Sequence, residues 1–305
     1  MQDLISWYFN IDTTNLTKID NIFYTNYQKA YIYIIPVGKE KSTTFFHLLQ
    51  LIEKSPHQRI LLSRENSPTI TFNNLEYYAL MSDIKLHENI SSVEELKFST
   101  IYNTPYQIAT HFKNKWMQKN KIHEQELNIA IDKVNPDIRS LLFDLATYYI
   151  HLNEEVYNLI KPIEQSNFFV SLCHARLKSQ SYMFELFIPE MLIIDNKSRM
   201  YCEYIRDLFL RTMDSNQIRD AIISITIKDP LSIEEWNLLY TRLYLPTHFY
   251  DMIHDIINGN EIKIETLYEQ TLSYTKLLAI LPDYIYQNTG IKLTTPTWVA
   301  NERYK

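Results

Sequence analysis

The residues of this chain best suited to chemistry lie between positions 173 and 242. Cys173-His174-Ala175-Arg176-Leu177-Lys178-Ser179-Gln180-Ser181 runs off an apolar, β-type stretch, and Asp195 closes a second one, Met191-Leu192-Ile193-Ile194. An imidazole and a carboxylate delivered from neighbouring strands could move a proton or hold a divalent cation. Both also have a plainer, structural use. His174 as a buried histidine bonds backbone near Asp195, and Asp195 pairs with Arg176 or Arg199, because a charge left alone inside a lobe is expensive. Arg199, Glu203 and Arg206 stand at i, i+4 and i+7, which predicts a ladder of ion pairs on one helix face. Arg242, among Trp236, Leu239, Tyr240 and Leu243, reads as a cation paired inside a lobe rather than a substrate clamp.

What is missing narrows the chemistry further. The 305 residues include only three glycines, Gly38, Gly259 and Gly290, far apart in sequence. Backbone wraps a phosphate only where side chains are absent and positive φ is open, so GxGxxG and GxxxxGK[ST] loops are excluded. GxSxG, HExxH and EF-hand patterns are also absent. The two cysteines, Cys173 and Cys202, form no CxxC and no zinc-type spacing with histidine, so they are expected as buried thiols. The 23 tyrosines suit cores and interfaces; the pairs 77/78 and 148/149 are expected to face core with one ring and surface with the other.

Thirty basic against 36 acidic residues leave a net charge of -6 with the signs mixed throughout, which argues against a nucleic-acid partner. Lys113, Lys115, Lys119 and Lys121 form the one basic stretch and suit a solvated helix end. The longest uncharged apolar run, Ala30 to Val37, is too short to cross a bilayer. The opening Met1 to Trp7 has no basic n-region, so no secretory signal is expected and synthesis is placed in the cytoplasm.

These residues need elements to carry them. Up to residue 82 short β-type runs dominate: 21–24, 30–37, 59–62, 69–72 and 77–80. Thr25 to Lys29 reads as a hairpin loop, and one helix begins at Thr43 or Thr44. Beyond residue 100 the pattern is helical. Pro105 opens a helix carrying Ile108, Ala109, Phe112 and Trp116. Asp137 caps a long one with Leu141, Leu145, Tyr148, Leu152, Val156 and Leu159 on its apolar face. Two β-type pieces, 168–172 and 191–194, precede a helix from Ser198. Ser232-Ile233-Glu234-Glu235 is a capping box, with Leu231 positioned to staple onto Trp236. Pro246 ends that helix, Thr247 starts the next, Gly259 closes it, a last helix spans 262–280, and residues 293–298 read as extended. Length and pattern together predict a small β-rich lobe over residues 1–82, a hinge over 83–104 and a helical lobe over 105–305.

This layout resembles the protein-kinase-like phosphotransferases, an α+β, two-lobed fold. In the aminoglycoside and choline kinase branch a loop of the form H-G-D-x-x-x-x-N orients the acceptor hydroxyl and holds magnesium, and a later I-D-[FWY] supplies a second metal carboxylate. His174 and Asp195 match two of those positions. Arg176 stands where the base belongs and Ser181 where the metal-binding amide belongs; a guanidinium accepts no proton and repels a cation. The run Ala30 to Val37, taken as the second strand, carries no Val-x-Lys, and the turn before it holds Asn26, Tyr27 and Gln28 where a glycine-rich loop would be.

The resemblance narrows to the YutH type of spore coat protein, related to the CotS group. Asp195-Asn196-Lys197-Ser198-Arg199-Met200-Tyr201-Cys202-Glu203-Tyr204-Ile205-Arg206 resembles its D-H-P-x-R-D-L-A-E-[WY]-I-R signature. Pro230 to Pro246 resembles its P-L-S-x-x-x-W-x-L-L-Y-x-R-L-x-x-P, Cys173 to Arg176 its C-H-x-R, and Pro296-Thr297-Trp298 its P-T-W. Met200 departs from the signature's Asp. The resemblance implies a structural or scaffolding protein of the endospore coat with a degenerate, pseudokinase-type site at His174, Arg176, Ser181 and Asp195. It implies no cofactor or metal, and other spore coat proteins as partners. The alternatives are an ATP-dependent small-molecule phosphotransferase and a non-catalytic nucleotide-binding protein.

Overall fold

The fold is described from a computed structural model, which covers residues 2–19, 22–38, 42–53, 58–83, 93, 100–175, 189, 192–260 and 264–304. The chain forms two compact units. One comprises Met1–Ser91, Glu95–Asn103 and Val170–Lys197, and the other Ser92–Glu94, Thr104–Phe169 and Ser198–Lys305. Of the described residues, 170–175 and 192–197 fall in the first of these units.

The first unit opens with a helix, α1 (Gln2–Phe9), followed by β1 (Thr17–Ile19), β2 (Ile22–Tyr27), β3 (Ala30–Pro36), α2 (Ser42–Glu53), β4 (Gln58–Leu61), β5 (Thr69–Phe72) and β6 (Leu75–Ser82). The strands pair antiparallel in the order β1-β2-β3-β6-β4, with β5 also on β6. β3 is a continuous apolar run because both of its faces are covered. Ile32 and Ile34, with Ala79, Tyr77 and Ile70, meet Ile5 and Phe9 of α1 on one face. On the other face α2 lays Phe45 on Tyr78, with ring centroids 5.1 Å apart. Tyr77 and Tyr78 are consequently both buried, which corrects the expectation that one of them faces solvent.

Sequence had also placed a long loop between β2 and β3. Pairing instead continues to Tyr27↔Ala30, so Thr25, Asn26 and Tyr27 belong to β2 and only Gln28 and Lys29 turn the chain. Such two-residue tips match the twist of the strands they join. Gln28 accepts φ 55 to do so, and at the β5–β6 tip Asn73 and Asn74 adopt φ 49 and 61. Ala30–Pro36 is therefore the third strand, not the second; β1, too short to carry a pattern, precedes it.

A second sheet has the order β7-β8-β9, from β7 (Thr100–Tyr106), β8 (Phe168–His174) and β9 (Leu192–Asp195). Pro105 ends in β7, and the helix expected from it begins at Ile108.

The second unit is built from α3 (Ile108–Lys133), α4 (Pro136–Ile160), α5 (Ser198–Thr212), α6 (Ser215–Lys228), α7 (Ile233–Leu243), α8 (Thr247–Ile257), α9 (Ile264–Thr289) and α10 (Thr297–Ala300). Asn135, not Asp137, caps α4: its side chain accepts the Asp137 N–H at 3.2 Å, and Pro136 takes the first helical position, where no N–H is needed. Leu145, Leu152, Val156 and Leu159 are buried as predicted, but Leu142 and Tyr149 take the places expected of Leu141 and Tyr148. Tyr148 and Tyr149 do divide as expected, half-buried and buried.

The Ser232–Glu235 capping box forms in full: Ser232 Oγ accepts the Glu235 N–H at 3.2 Å and Glu235 Oε2 accepts the Ser232 N–H at 3.0 Å. α9 runs past the predicted end and through Pro282. A proline there strips the Leu278 carbonyl of its helical donor, and the Tyr240 hydroxyl of α7 supplies a replacement at 2.8 Å. Trp298 sits in α10 rather than an extended tail and donates to Glu155 Oε1 at 2.9 Å.

Candidate functional site

His174 ends β8 and Asp195 ends β9, in antiparallel register Ser171↔Asp195 and His174↔Leu192. Paired residues share a face and neighbours along a strand alternate, so Asp195 lies with Ser171 and Cys173 while His174 points to the opposite face. The two groups that sequence suggested as partners are separated by the hairpin itself. It is the Cys173 thiol, on the Asp195 face, that reaches the Asp195 and Asn196 carbonyls at 3.6 and 3.5 Å. Asp195 Oδ1 accepts the N–H of the adjacent Asn196 at 2.7 Å, and Asn196 is fully buried. Arg176 and Ser181 lie outside the described residues, and with them the expected Asp195–Arg176 pairing.

A bound nucleotide would need a phosphate cradle and a metal site. β2 and β3 pair as far as Tyr27↔Ala30, so their hairpin does not open into a loop of free backbone N–H groups. β3 is apolar and aromatic along its whole length and contributes no cation. Among the described residues no group of three or more His, Cys, Asp or Glu could hold a metal ion. Neither β3 nor the β2–β3 tip supplies a phosphate cradle.

The remaining charged candidates converge inside the second unit. Arg206, 3% exposed, donates through Nη1 to Glu203 Oε1 at 2.5 Å and through Nη2 to the Arg242 carbonyl at 2.5 Å. Burial opposes its charge, Glu203 supports it, and the guanidinium is held firmly protonated. The predicted ladder thus contains a Glu203–Arg206 rung within α5, and the second bond of Arg206, to the Arg242 carbonyl, ties α5 to α7. Arg242 is buried as expected, with its guanidinium 4.5 Å from the Phe112 ring centroid. The Cys202 thiol next to this group is pushed up to about 11 by burial. Sequence missed Tyr274 here: its hydroxyl donates to the Leu243 carbonyl at 2.7 Å, and nothing in the local pattern sets Tyr274 apart from other helical tyrosines.

The signature residues therefore fasten helices together. A family model described as "Spore coat putative kinase YutH" matches residues 2–278. The chain belongs to the YutH family of spore coat proteins. Its fold is kinase-like: the structure of an aminoglycoside phosphotransferase from Alicyclobacillus acidocaldarius subsp. acidocaldarius DSM 446 is similar, with a TM-score of 0.63 and 11% identity, over 90% of this chain and 93% of the other. Spectinomycin phosphotransferase APH(9)-Ia, solved with ADP and spectinomycin, aligns at a TM-score of 0.41 and 10% identity over 99% and 92%. No curated protein matches the chain. Among the described residues of this YutH-family chain no helix is long and apolar enough to cross a membrane.

Proposed function

We propose that this chain is a structural, scaffolding component of the spore coat, a pseudokinase that keeps the phosphotransferase-like fold without phosphoryl transfer. It is made in the mother-cell cytoplasm and assembles through contacts with other coat proteins. One observation carries the reading: β3 is apolar throughout and offers no cation to a phosphate, and its hairpin with β2 closes on the two residues Gln28 and Lys29. Arg176 and Ser181, at the base and metal-amide positions of the resembled loop, support it from sequence. So does the use of Glu203, Arg206 and Arg242 as internal fastenings.

A second reading, nucleotide binding or small-molecule phosphoryl transfer, is favoured by the fold likeness and by Asp195 at the end of β9. Thermal melting with millimolar ATP and magnesium separates the two. Ligand at 100 times its dissociation constant adds about 2.7 kcal/mol to stability, a readily visible shift. The scaffolding reading expects no shift. A shift abolished by Asp195→Ala establishes the second reading.

A further inference from the structure

The first unit carries a groove of about 660 Å³ whose floor is sheet and whose wall is α2. Val37, Glu76 and Thr71 lie side by side across the floor, since Val37 N–H bonds the Glu76 carbonyl and Thr71 pairs with Glu76. Thr69 continues the floor along β5, and Phe46 and Leu49 of α2 stand over it. Phe46 is 57% exposed, so its ring is open to a ligand in the groove.

The groove opens at a strand edge with spare hydrogen bonds. Asn73 and Asn74 close β5 and β6 as a two-residue hairpin, so Phe72↔Leu75 and Ile70↔Tyr77 exchange the cross-strand bonds. Thr69 and Thr71 then turn their backbone groups away from β6. Ser67 Oγ accepts the Thr69 N–H at 3.2 Å; the Thr69 carbonyl and both backbone groups of Thr71 have no bond among the described residues, where β5 pairs with β6 alone. The side chains of those two threonines face the groove. Glu76 is the single charge among its described lining residues, and its carboxylate has no hydrogen bond or ion pair among them.

We propose that β5 is a docking edge for an extended segment of a protein partner, one with apolar side chains at alternate positions and a lysine or arginine. The segment adds a strand through Thr69 and Thr71. Its alternate side chains enter the groove against Phe46 and Leu49, and its cation meets Glu76. This names the partner chemistry for the protein-binding role proposed above. Its readout is peptide capture rather than nucleotide binding, so either idea can fail without the other.

Panning a phage-displayed random dodecapeptide library on the immobilised full chain tests it. Enriched peptides should alternate apolar residues and carry Lys or Arg, and should bind Thr71→Pro and Phe46→Ala at least about tenfold more weakly. Glu76→Lys should remove the preference for basic peptides. Thr71→Pro deletes an N–H that faces away from β6, a position where an edge strand tolerates proline. Should that variant melt early, hydrogen exchange of residues 69–76 in the parent chain decides: the selected peptide must slow it. No enrichment, equal binding to the variants, or unchanged exchange overturns the proposal.

Discussion

Glu203 and Arg206 show how a residue pair that looks chemical can be architectural. Both are buried, one turn apart on α5, and Arg206 spends its second amino group on an α7 carbonyl. Removing one partner of such a pair strands the other charge in a dry interior, which costs about 3–5 kcal/mol. Glu203→Ala should therefore lower unfolding free energy in urea by about that amount, while Glu203→Met with Arg206→Met should recover most of it. A Glu203→Ala loss under about 1 kcal/mol would show that the pair is solvated. The i+4 and i+3 spacing was readable along the sequence; that the rung is buried, and that α7 supplies the third partner, depended on packing. His174 and Asp195 make the reverse case, since their separation onto opposite faces follows from a register between strands that no local pattern specifies.

Some helix ends, where few long-range contacts intervene, were legible. The capping box at Ser232 needs only four consecutive residues to be recognised, and it forms as read. Ser232→Ala should cost about 1 kcal/mol of stability, measurable as a lower midpoint in thermal or urea unfolding with helix content retained. α9 was the illegible one. Its passage through Pro282 depends on the Tyr240 hydroxyl, thirty-eight residues before the Leu278 carbonyl that it caps. β1 and β7 escaped notice for a different reason, being recruited to their sheets by partners rather than by a strong pattern of their own.

Across the whole molecule the buried tyrosines set the response to alkali. Burial is the first cause that raises the phenols of Tyr78, Tyr148, Tyr149, Tyr244, Tyr250 and Tyr274, and Tyr148 reaches about 12 from its usual 10.0. Cys202 likewise moves from 9.0 to about 11. Folding raises these values, so the folded chain holds the protons more tightly, and the stabilisation is complete below the unfolded values and lost as pH climbs through the folded ones. Stability should thus fall from about pH 9 upward, with Cys202 contributing on the order of 2–3 kcal/mol between its two values. Urea midpoints between pH 8 and 11.5 check this, and Cys202→Ala should flatten the part between 9 and 11. A midpoint that holds constant to pH 11 would contradict the burial of these groups.

Amino-acid order alone determined the fold class, the Ser232 capping box and the absence of any glycine-rich phosphate loop, because these depend on residues close together in the chain. It also carried the family signature. Tertiary structure decided which strand follows which in the first sheet, that the Cys173 thiol reaches the backbone around Asp195, and that the edge of β5 opens beside an exposed phenylalanine. Those outcomes belong to pairings between distant segments, whose register and burial are chosen by the energy of the assembled core and leave no mark on the short stretches that enter it.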